Sequence, residues 1–231
     1  MIMIRIGLDI DGCILDYTKL LAKDYYCWCQ EKGFTPKEVN NVPTRFEDII
    51  SSEHMDEFET SKEFTEYFFG KPREGVIAFI EYIKDVKNRL RSINDDIELY
   101  IITARQNLPK KPFGYKEFFS SSLTDRWLKS QGIEHTGLEF GVKDKAKLCK
   151  MWHFDYMIED DINNALSIAD KGTCVLLFDT ILNKKENIDK DNIIRVYSMF
   201  QIKAIIEQNV QKILDLNSPT NLSGVELYFD R

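Results

Sequence analysis

The chain has 231 residues, 43% of them hydrophobic and 12% aromatic, with a formal net charge of −7 at pH 7. This content predicts a folded globule, either one large domain or a core with an inserted cap, and excludes a disordered chain. The acidic balance argues against an extended nucleic-acid surface, which needs a basic stripe, but not against a small phosphorylated substrate. No apolar run approaches the roughly 20 residues that span a bilayer, so no membrane partner is expected.

The cysteines indicate the redox compartment. Five cysteines scattered along the chain are an odd number, which favours a reduced, cytoplasmic protein over a disulfide-bonded one. Cys27 and Cys29 form a CxC pair, but no second pair of cysteines or histidines has zinc-finger spacing. We therefore expect buried free thiols.

The first predicted element is a strand over residues 5–11, RIGLDID. From residue 16 to about residue 70 the pattern becomes helical and rich in aromatic and charged residues, which predicts a helical insertion after the first strand. The aromatic residues there stand at helical spacing, which favours packing inside the insertion over stacking on a substrate base. They are Tyr25, Tyr26, Trp28, Phe64, Tyr67, Phe68 and Phe69.

After the insertion, helices and strands alternate. The predicted helices cover residues 74–90, 123–133, 143–152, 163–172 and 199–216, and the predicted strands cover residues 97–103, 154–160, 173–179 and 192–198. This alternation is typical of an α/β fold in which helices cover both faces of a parallel sheet. The last segment, 217–231, loses the helical pattern and is predicted to be a tail with at most one edge strand, which packs on the core or on a neighbouring subunit of a homodimer.

Two acids, Asp9 and Asp11, end the first predicted strand immediately before Gly12. Side chains two apart on a strand leave the same face, so we expect these carboxylates to lie close together where water is scarce. Like charges at that range repel, so either one carboxyl group is protonated or a cation lies between them. A surface Asp-Gly turn is the structural alternative, and the other strand ends decide between the two.

The carboxyl ends of parallel strands meet at one edge of a sheet, which is where such sheets bind ligands. The residues at the ends of the second and third predicted strands are Thr103, Ala104, Arg105, Glu159, Asp160 and Asp161. Carboxylates and a hydroxyl therefore converge on the edge that carries Asp9 and Asp11, and lysines lie one short helix before the third strand. This convergence favours a catalytic site over a turn.

Oxygen ligands without a nearby histidine or cysteine suit a hard cation, and magnesium fits because it is octahedral and usually partnered by a phosphate. Asp9, the backbone carbonyl of Asp11 and Asp160 can hold such an ion. Asp9 can attack phosphorus and form an aspartyl-phosphate, with Asp11 as the general acid and base. Thr103 and the backbone amides after it can hold phosphate oxygens, while Lys145 neutralises charge.

Four features in this order resemble the motifs of the haloacid dehalogenase (HAD) superfamily. They are DIDG at 9–12, IITAR at 101–105, a lysine before the third predicted strand, and IEDD at 158–161. Within the superfamily, the chain resembles the 5'(3')-deoxyribonucleotidase-like branch and its bacterial nucleotidases, which carry a helical cap between the first two motifs. The resemblance spans most of residues 4–207, although the segment after IITAR is long and basic and DTILN lacks a proline often found there.

The resemblance implies a Rossmann-like, three-layer core of residues 1–14 and 72–216, a helical cap over residues 15–71 and a tail over residues 217–231. The site residues that it implies are Asp9 as nucleophile, Asp11 as general acid and base, Thr103 as phosphate ligand, Lys145 as the lysine of the third motif, Asp160 as metal ligand and Glu159 as an outer support. The residues themselves add further expectations. Ala104 and Arg105 bind substrate, Asp9 and Asp11 bind Mg²⁺ together with Asp160, and Asp161 is a second outer support.

Three of these assignments stay open. Arg105 either approaches phosphate or pairs with an acid. Asp161 either supports the site or caps the following helix. The functional lysine is one of Lys143, Lys145 and Lys147. Lys145 is preferred because it follows Asp144, the predicted N-cap of a short helix, which defines its position in the first turn.

These observations predict a magnesium-dependent phosphomonoester hydrolase that acts through an aspartyl-phosphate. The resemblance makes nucleoside monophosphates the expected substrates, and this step is an analogy of fold. A phosphatase of sugar phosphates or other small metabolites is the alternative. A catalytically silent binding protein and a phosphatase of nucleic-acid ends are less favoured, because a scaffold needs no such clustering of charge and the chain is acidic overall.

Overall fold

A computed structural model of the chain describes residues 2–36, 50–58, 69–93, 95–105, 121–180, 182–184 and 186–216. The strands in these ranges are β1 Met3–Leu8, β2 Asp96–Thr103, β3 Gly137–Phe140, β4 Tyr156–Glu159, β5 Cys174–Phe178 and β6 Ile193–Val196. They form one parallel sheet in the order β3-β2-β1-β4-β5-β6. This order is that of a Rossmann-like sheet, so the predicted α/β class is confirmed.

Helices cover both faces of this sheet. The helices of the described ranges are α1 Tyr17–Lys32, α2 Met55–Phe58, α3 Val76–Arg91, α4 Ser121–Ser130, α5 Lys145–Trp152, α6 Ile162–Ala169 and α7 Met199–Leu216. The first two belong to the insertion after β1, and the others follow it. Helices α3 and α7 pack together on one face, and α5 and α6 pack together on the other. The core therefore has the three layers that the sequence predicts.

The alternation of side chains along the central strands builds one apolar cluster on each face of the sheet. Leu176 of β5 belongs to the cluster under α3 and α7, whereas its neighbours Val175 and Leu177 belong to the cluster under α5 and α6. Each fully buried aliphatic side chain of this kind contributes about 1.5–3 kcal/mol relative to an exposed one. The strands are thus anchored on both faces, which gives the residues at their carboxyl ends fixed positions.

The predicted elements of the core are confirmed in type and order, with two differences. β1 ends at Leu8, so Asp9 and Asp11 lie in the loop that follows and not on the strand as predicted. The strand β3 was not predicted, because its sequence GLEF is too short for a periodic pattern and all its residues have intermediate exposure.

The described part of the insertion has an aromatic cluster of its own. Tyr25 and Trp28 of α1 are each 2% exposed and pack against Phe58 of α2 at ring-centroid distances of 5.2 and 5.3 Å. The Tyr25 hydroxyl forms a hydrogen bond with His54 Nδ1 at 2.8 Å. The prediction that the aromatic residues of the insertion serve packing is therefore confirmed for Tyr25 and Trp28.

The other aromatic residues predicted in the insertion differ from this pair. Tyr26 is 50% exposed on the outer side of α1, whereas Phe69 packs edge-on against Trp127 of α4 at 6.0 Å. The remaining predicted aromatics Phe64, Tyr67 and Phe68, and the tail 217–231, lie outside the described residues.

All five cysteines are free thiols, and Cys13, Cys29 and Cys149 are buried. The expectation of buried thiols is wrong for Cys27, which is exposed because its position on α1 turns it away from the face that buries Cys29. Among the described helices, none combines the length and apolarity needed to cross a bilayer.

Candidate active site

The centre of the sheet brings Asp9 and Glu159 together. β1 and β4 are neighbours, with Leu8 paired to Ile158, and the Asp9 backbone N–H donates to the Ile158 carbonyl at 3.0 Å. The strand order reverses direction between these two strands, and such a switch point opens a crevice at the carboxyl ends of the strands. Asp9 and Glu159 therefore both border this crevice.

Lys145 is the cation of the crevice. Its Nζ donates to Asp9 Oδ2 and to Glu159 Oε2, each at 2.7 Å, and only 2% of its side chain is exposed. Lys145 is the first residue of α5, whose N-cap Asp144 accepts a hydrogen bond from the Lys147 backbone N–H at 2.9 Å, as predicted. Lys143 and Lys147 are exposed, so Lys145 alone of the three candidate lysines lies at the site.

Burial dominates the electrostatics of Asp9. It raises the pKa of Asp9 from 3.8 to about 7, because the attraction of Lys145 is smaller than burial and the repulsion from Glu159 and Asp11 adds to it. Burial lowers the pKa of Lys145, but Asp9 and Glu159 outweigh it and hold this pKa above its ordinary value. Asp9 Oδ1 is buried and has no hydrogen-bond partner among the described residues. A buried polar atom without a partner costs about 1–3 kcal/mol, so this oxygen is suited to a ligand.

Asp160 completes an acidic cluster. One carboxylate oxygen from each of Asp9, Glu159 and Asp160 lies within 4.8 Å of the others. Burial, with repulsion from Glu159 and Asp9, raises the pKa of Asp160 well above its ordinary value. Gly12 has φ +80°, and a Cβ there would lie 1.9 Å from Asp160 Oδ2. Only glycine therefore lets the Asp160 carboxylate approach the loop after β1.

The donor set of this cluster fits a divalent cation. Three carboxylates and the single ammonium of Lys145 leave two formal negative charges in a poorly solvated place, and all the available ligand atoms are oxygens. Glu159 is already engaged, since Oε2 accepts from Lys145 and Oε1 accepts from Asn164 Nδ2 at 3.0 Å. This engagement agrees with the outer position predicted for Glu159 and leaves the carboxylates of Asp9 and Asp160 for an ion.

Asp11 has a cation of its own. Arg105 donates from Nη2 to Asp11 Oδ1 at 2.6 Å and from Nε to Asp11 Oδ2 at 2.9 Å. Asp9 and Asp11 both lie beyond the end of β1, and each pairs with a cation of its own, Lys145 and Arg105 respectively. Of the two roles left open for Arg105, the described contacts show the pairing with an acid.

Thr103 and Ala104 lie at the same edge, at the end of the neighbouring strand β2. The Thr103 side chain is almost fully buried, and its Oγ1 accepts from the Arg105 backbone N–H at 3.2 Å. Ala104 is exposed. Asp161 is the N-cap of α6, since its Oδ1 accepts from the Asn164 backbone N–H at 2.8 Å, so the capping alternative for Asp161 is confirmed.

Asn183 is a site residue that the sequence analysis missed. Its side chain is buried after β5, and its Nδ2 donates to the carbonyls of Asp160 at 2.6 Å and Phe178 at 2.8 Å. Arg195 donates to Asn183 Oδ1 at 2.7 Å and so orients the amide. The available signal was its place after β5, whose carboxyl end lies at the same edge as the acids.

The chain was compared with protein-family models, with curated proteins and with solved structures. A scan against protein-family models gives no match. A curated nucleotidase from Clostridium acetobutylicum is 25% identical over 213 residues, which cover 90% of this chain and 96% of that protein.

Solved structures show a likeness of fold. A haloacid dehalogenase-like family hydrolase from Streptococcus pneumoniae matches with a TM-score of 0.53 and 14% identity, over 88% of this chain and 98% of its own. A predicted phosphatase from Clostridium acetobutylicum matches with a TM-score of 0.52 and 11% identity, over 90% and 100% of the two chains. A magnesium-bound HAD-hydrolase from Bacillus subtilis matches with a TM-score of 0.51 and 13% identity, over 89% and 99%.

The protein has the haloacid dehalogenase-like fold. The resemblance drawn from the four motifs is thus confirmed at the level of fold. Asp9 and Asp11 follow β1, Thr103 ends β2 and Asp160 follows β4, so these residues lie at one edge of the sheet.

Proposed function

We propose that this HAD-like protein is a magnesium-dependent phosphomonoester hydrolase that acts on nucleoside monophosphates through an aspartyl-phosphate. The observation that carries the proposal is the environment of Asp9. It is buried, shares Lys145 with Glu159, and has a carboxylate oxygen within 4.8 Å of one of Asp160. The relative that is named a nucleotidase supports the substrate class.

The carboxylates of Asp9 and Asp160, with the backbone carbonyl of Asp11, would hold Mg²⁺, which when bound supplies positive charge to the phosphate and to the acids around it. Lys145 neutralises part of the charge on Asp9 and can face an equatorial phosphate oxygen. The Thr103 hydroxyl and the backbone N–H of Ala104 can donate to the other phosphate oxygens.

In the first step of the proposed reaction, a carboxylate oxygen of Asp9 attacks phosphorus and the bond from phosphorus to the leaving oxygen breaks. Asp11 gives its proton to that oxygen, so an alcohol leaves and the phosphoryl group stays on Asp9. In the second step, Asp11 takes a proton from water while the water oxygen attacks the same phosphorus. The bond to Asp9 then breaks, inorganic phosphate leaves, and both aspartates return to their starting states.

The domain division belongs to the same proposal, with residues 15–71 as a cap on a core of residues 1–14 and 72–216. The two linkers of this insertion are joined beside the site. The Arg73 backbone N–H donates to the Ile14 carbonyl at 2.7 Å, and its Nη2 donates to the Gly12 carbonyl at 2.7 Å. A cap hinged there can exclude water while the phosphoryl group transfers.

We also propose that the protein works in a reduced, cytoplasmic setting, because all five of its cysteines are free thiols. The tail over residues 217–231 is still expected to pack either on the core or on a neighbouring subunit of a homodimer.

A substrate panel tests the proposed function. Purified protein is incubated with ribo- and deoxyribonucleoside 5'- and 3'-monophosphates, sugar phosphates, 5'-phosphorylated oligonucleotides and p-nitrophenyl phosphate, and released phosphate is measured with Mg²⁺ and with EDTA. We expect turnover of a nucleoside monophosphate, loss of activity in EDTA and recovery with Mg²⁺. Asp9→Asn should abolish turnover, because an amide is a poor nucleophile, whereas Asp85→Asn on the exposed face of α3 should not.

The other outcomes separate the alternatives. Turnover of sugar phosphates alone would identify a metabolite phosphatase, and turnover of oligonucleotides alone would identify a phosphatase of nucleic-acid ends. Absence of turnover of every phosphomonoester would leave a binding protein. Substantial activity of Asp9→Asn would exclude Asp9 as the nucleophile.

A further inference from the structure

The contact between Arg105 and Asp11 is a two-point contact. Arg105 Nη2 lies 2.6 Å from Asp11 Oδ1, and Arg105 Nε lies 2.9 Å from Asp11 Oδ2. Two parallel N–H···O bonds from a planar guanidinium fix the plane of a carboxylate as well as its position. A single point charge such as an ammonium fixes the distance but not the plane.

The two partners differ in exposure. The Arg105 side chain is 4% exposed, whereas the Asp11 side chain is 27% exposed. The arginine therefore belongs to the protein interior, and the carboxylate lies at the mouth of the crevice.

Neighbouring groups hold the arginine in place. Its guanidinium carbon lies 5.7 Å from the centroid of the Trp127 ring, and its backbone N–H donates to Thr103 Oγ1 at 3.2 Å. Trp127 in turn donates from Nε1 to the Gly70 carbonyl at 3.2 Å. Arg105 is thus the fixed member of the pair, and its position can set the orientation of the Asp11 carboxylate.

We propose that Arg105 is a positioning residue that orients the Asp11 carboxyl group for proton transfer to the leaving oxygen. The inference rests on the proposed function, because it is Asp11 that exchanges protons with the leaving group and with water. Each carboxylate oxygen of Asp11 has two lone pairs, and the contact with Arg105 uses only one on each oxygen. One oxygen can therefore use its second lone pair to exchange a proton with the substrate while both contacts with Arg105 are kept. In this role Arg105 does not contact the phosphate.

A double-mutant cycle separates orientation of Asp11 from direct binding of substrate. Arg105→Lys keeps the charge and removes the planar fork, and Arg105→Met removes both. Each is made in the wild-type background and in the Asp11→Asn background. Each protein is assayed on p-nitrophenyl phosphate, whose leaving group needs little protonation, and on a phosphomonoester with an alcohol leaving group.

If Arg105 acts through Asp11, both variants should lower kcat on the alcohol ester roughly 10- to 100-fold, the range expected when a catalytic group is displaced by about 1 Å. KM should stay near its wild-type value, and the loss should be smaller on p-nitrophenyl phosphate. In the Asp11→Asn background, substitution of Arg105 should have no further effect. Arg126→Met, which removes an exposed arginine bonded only to the Ser122 carbonyl among the described contacts, should leave kcat unchanged.

Crystal structures of the wild type and of Arg105→Lys give a readout that needs no activity. We expect the Asp11 carboxylate to rotate in the variant while Asp9 and Lys145 keep their contacts. A raised KM that persists in the Asp11→Asn background would identify Arg105 as a substrate ligand and overturn the inference. So would unchanged kinetics, or an Asp11 carboxylate that keeps its orientation in the variant. If the wild type hydrolyses no phosphomonoester, the proposed function has failed, and the crystal structures alone decide whether Arg105 sets the orientation of Asp11.

Discussion

The burial of Asp9 predicts that its ionisation destabilises the metal-free protein. The pKa of Asp9 rises from 3.8 in the unfolded chain to about 7 in the folded protein, mainly through burial. Between these two values the folded protein binds more protons than the unfolded chain, so its stability falls as the pH rises. One pKa unit corresponds to about 1.4 kcal/mol, so the full effect above pH 7 is about 4 kcal/mol.

Asp9→Asn removes the ionisable group and keeps nearly the same shape. In EDTA, we expect this variant to exceed the wild type in free energy of unfolding by up to about 4 kcal/mol at pH 8, by about 2 kcal/mol at pH 5, and by little below pH 4. The assay is urea unfolding at pH 8 and pH 5, supported by thermal melts in which 1 kcal/mol shifts Tm by roughly 2–4 °C for a chain of this size. Added Mg²⁺ should stabilise the wild type and narrow the gap at pH 8.

Asp85→Asn is the matched control, because the Asp85 side chain is 69% exposed on α3. Its stability should stay within about 0.5 kcal/mol of the wild type at both pH values. A variant Asp9→Asn that is less stable than the wild type at pH 8, or a gap that is the same at pH 8 and pH 5, would refute this account of the site.

Three further substitutions test the surroundings of Asp9. Gly12→Ala places a Cβ 1.9 Å from Asp160 Oδ2, so it should displace that carboxylate and abolish both Mg²⁺ binding, measured by calorimetry, and turnover. Lys145→Met leaves Asp9 and Glu159 without the ammonium that bonds both. It should lower kcat by roughly 100-fold or more and lower the free energy of unfolding by about 3 kcal/mol at pH 8. The loss should be smaller at pH 5, because the pKa of Asp9 is raised to about 7 and Asp9 can be protonated there. Asn183→Ala removes the donor to the carbonyls of Asp160 and Phe178. It should destabilise the protein by about 1–3 kcal/mol and weaken Mg²⁺ binding through the backbone of Asp160.

Matched controls exist for each of these. Gly132→Ala places alanine at a similar φ of +76° with nothing within 4 Å of the added Cβ, so it shares the backbone strain but should keep Mg²⁺ binding. Lys147→Met removes an exposed lysine from the same helix as Lys145 and should change neither kcat nor stability. Asn192→Ala also removes an amide that bonds two carbonyls, those of Ala169 and Thr173, and should cost stability without affecting Mg²⁺ affinity. Equal effects in a variant and its control would contradict the corresponding prediction.

The order and type of the core elements could be predicted from the sequence because they depend on short-range patterns. Alternating hydrophobic strands and amphipathic helices predict a parallel sheet covered on both faces, and that sheet necessarily brings the residues after β1, β2 and β4 to one edge. Asp144 as the N-cap of α5 is a local feature of the same kind, and it was enough to prefer Lys145 over its two neighbours. The four-residue strand β3 could not be predicted from the sequence, because only its pairing with β2 makes this segment a strand.

The partners of the site residues were decided by tertiary structure. Nothing in the sequence around Asp11 indicates that Arg105, 94 residues away, takes both of its oxygens. Nothing around Asp160 indicates that Asn183 holds its carbonyl. Side-chain type and strand position are carried by neighbours along the chain, whereas the choice of a hydrogen-bond partner depends on which groups the packed layers leave within about 3 Å of each other. The sequence by itself determined which chemical groups gather at the edge of the sheet, and only the folded protein determined which acid each cation holds.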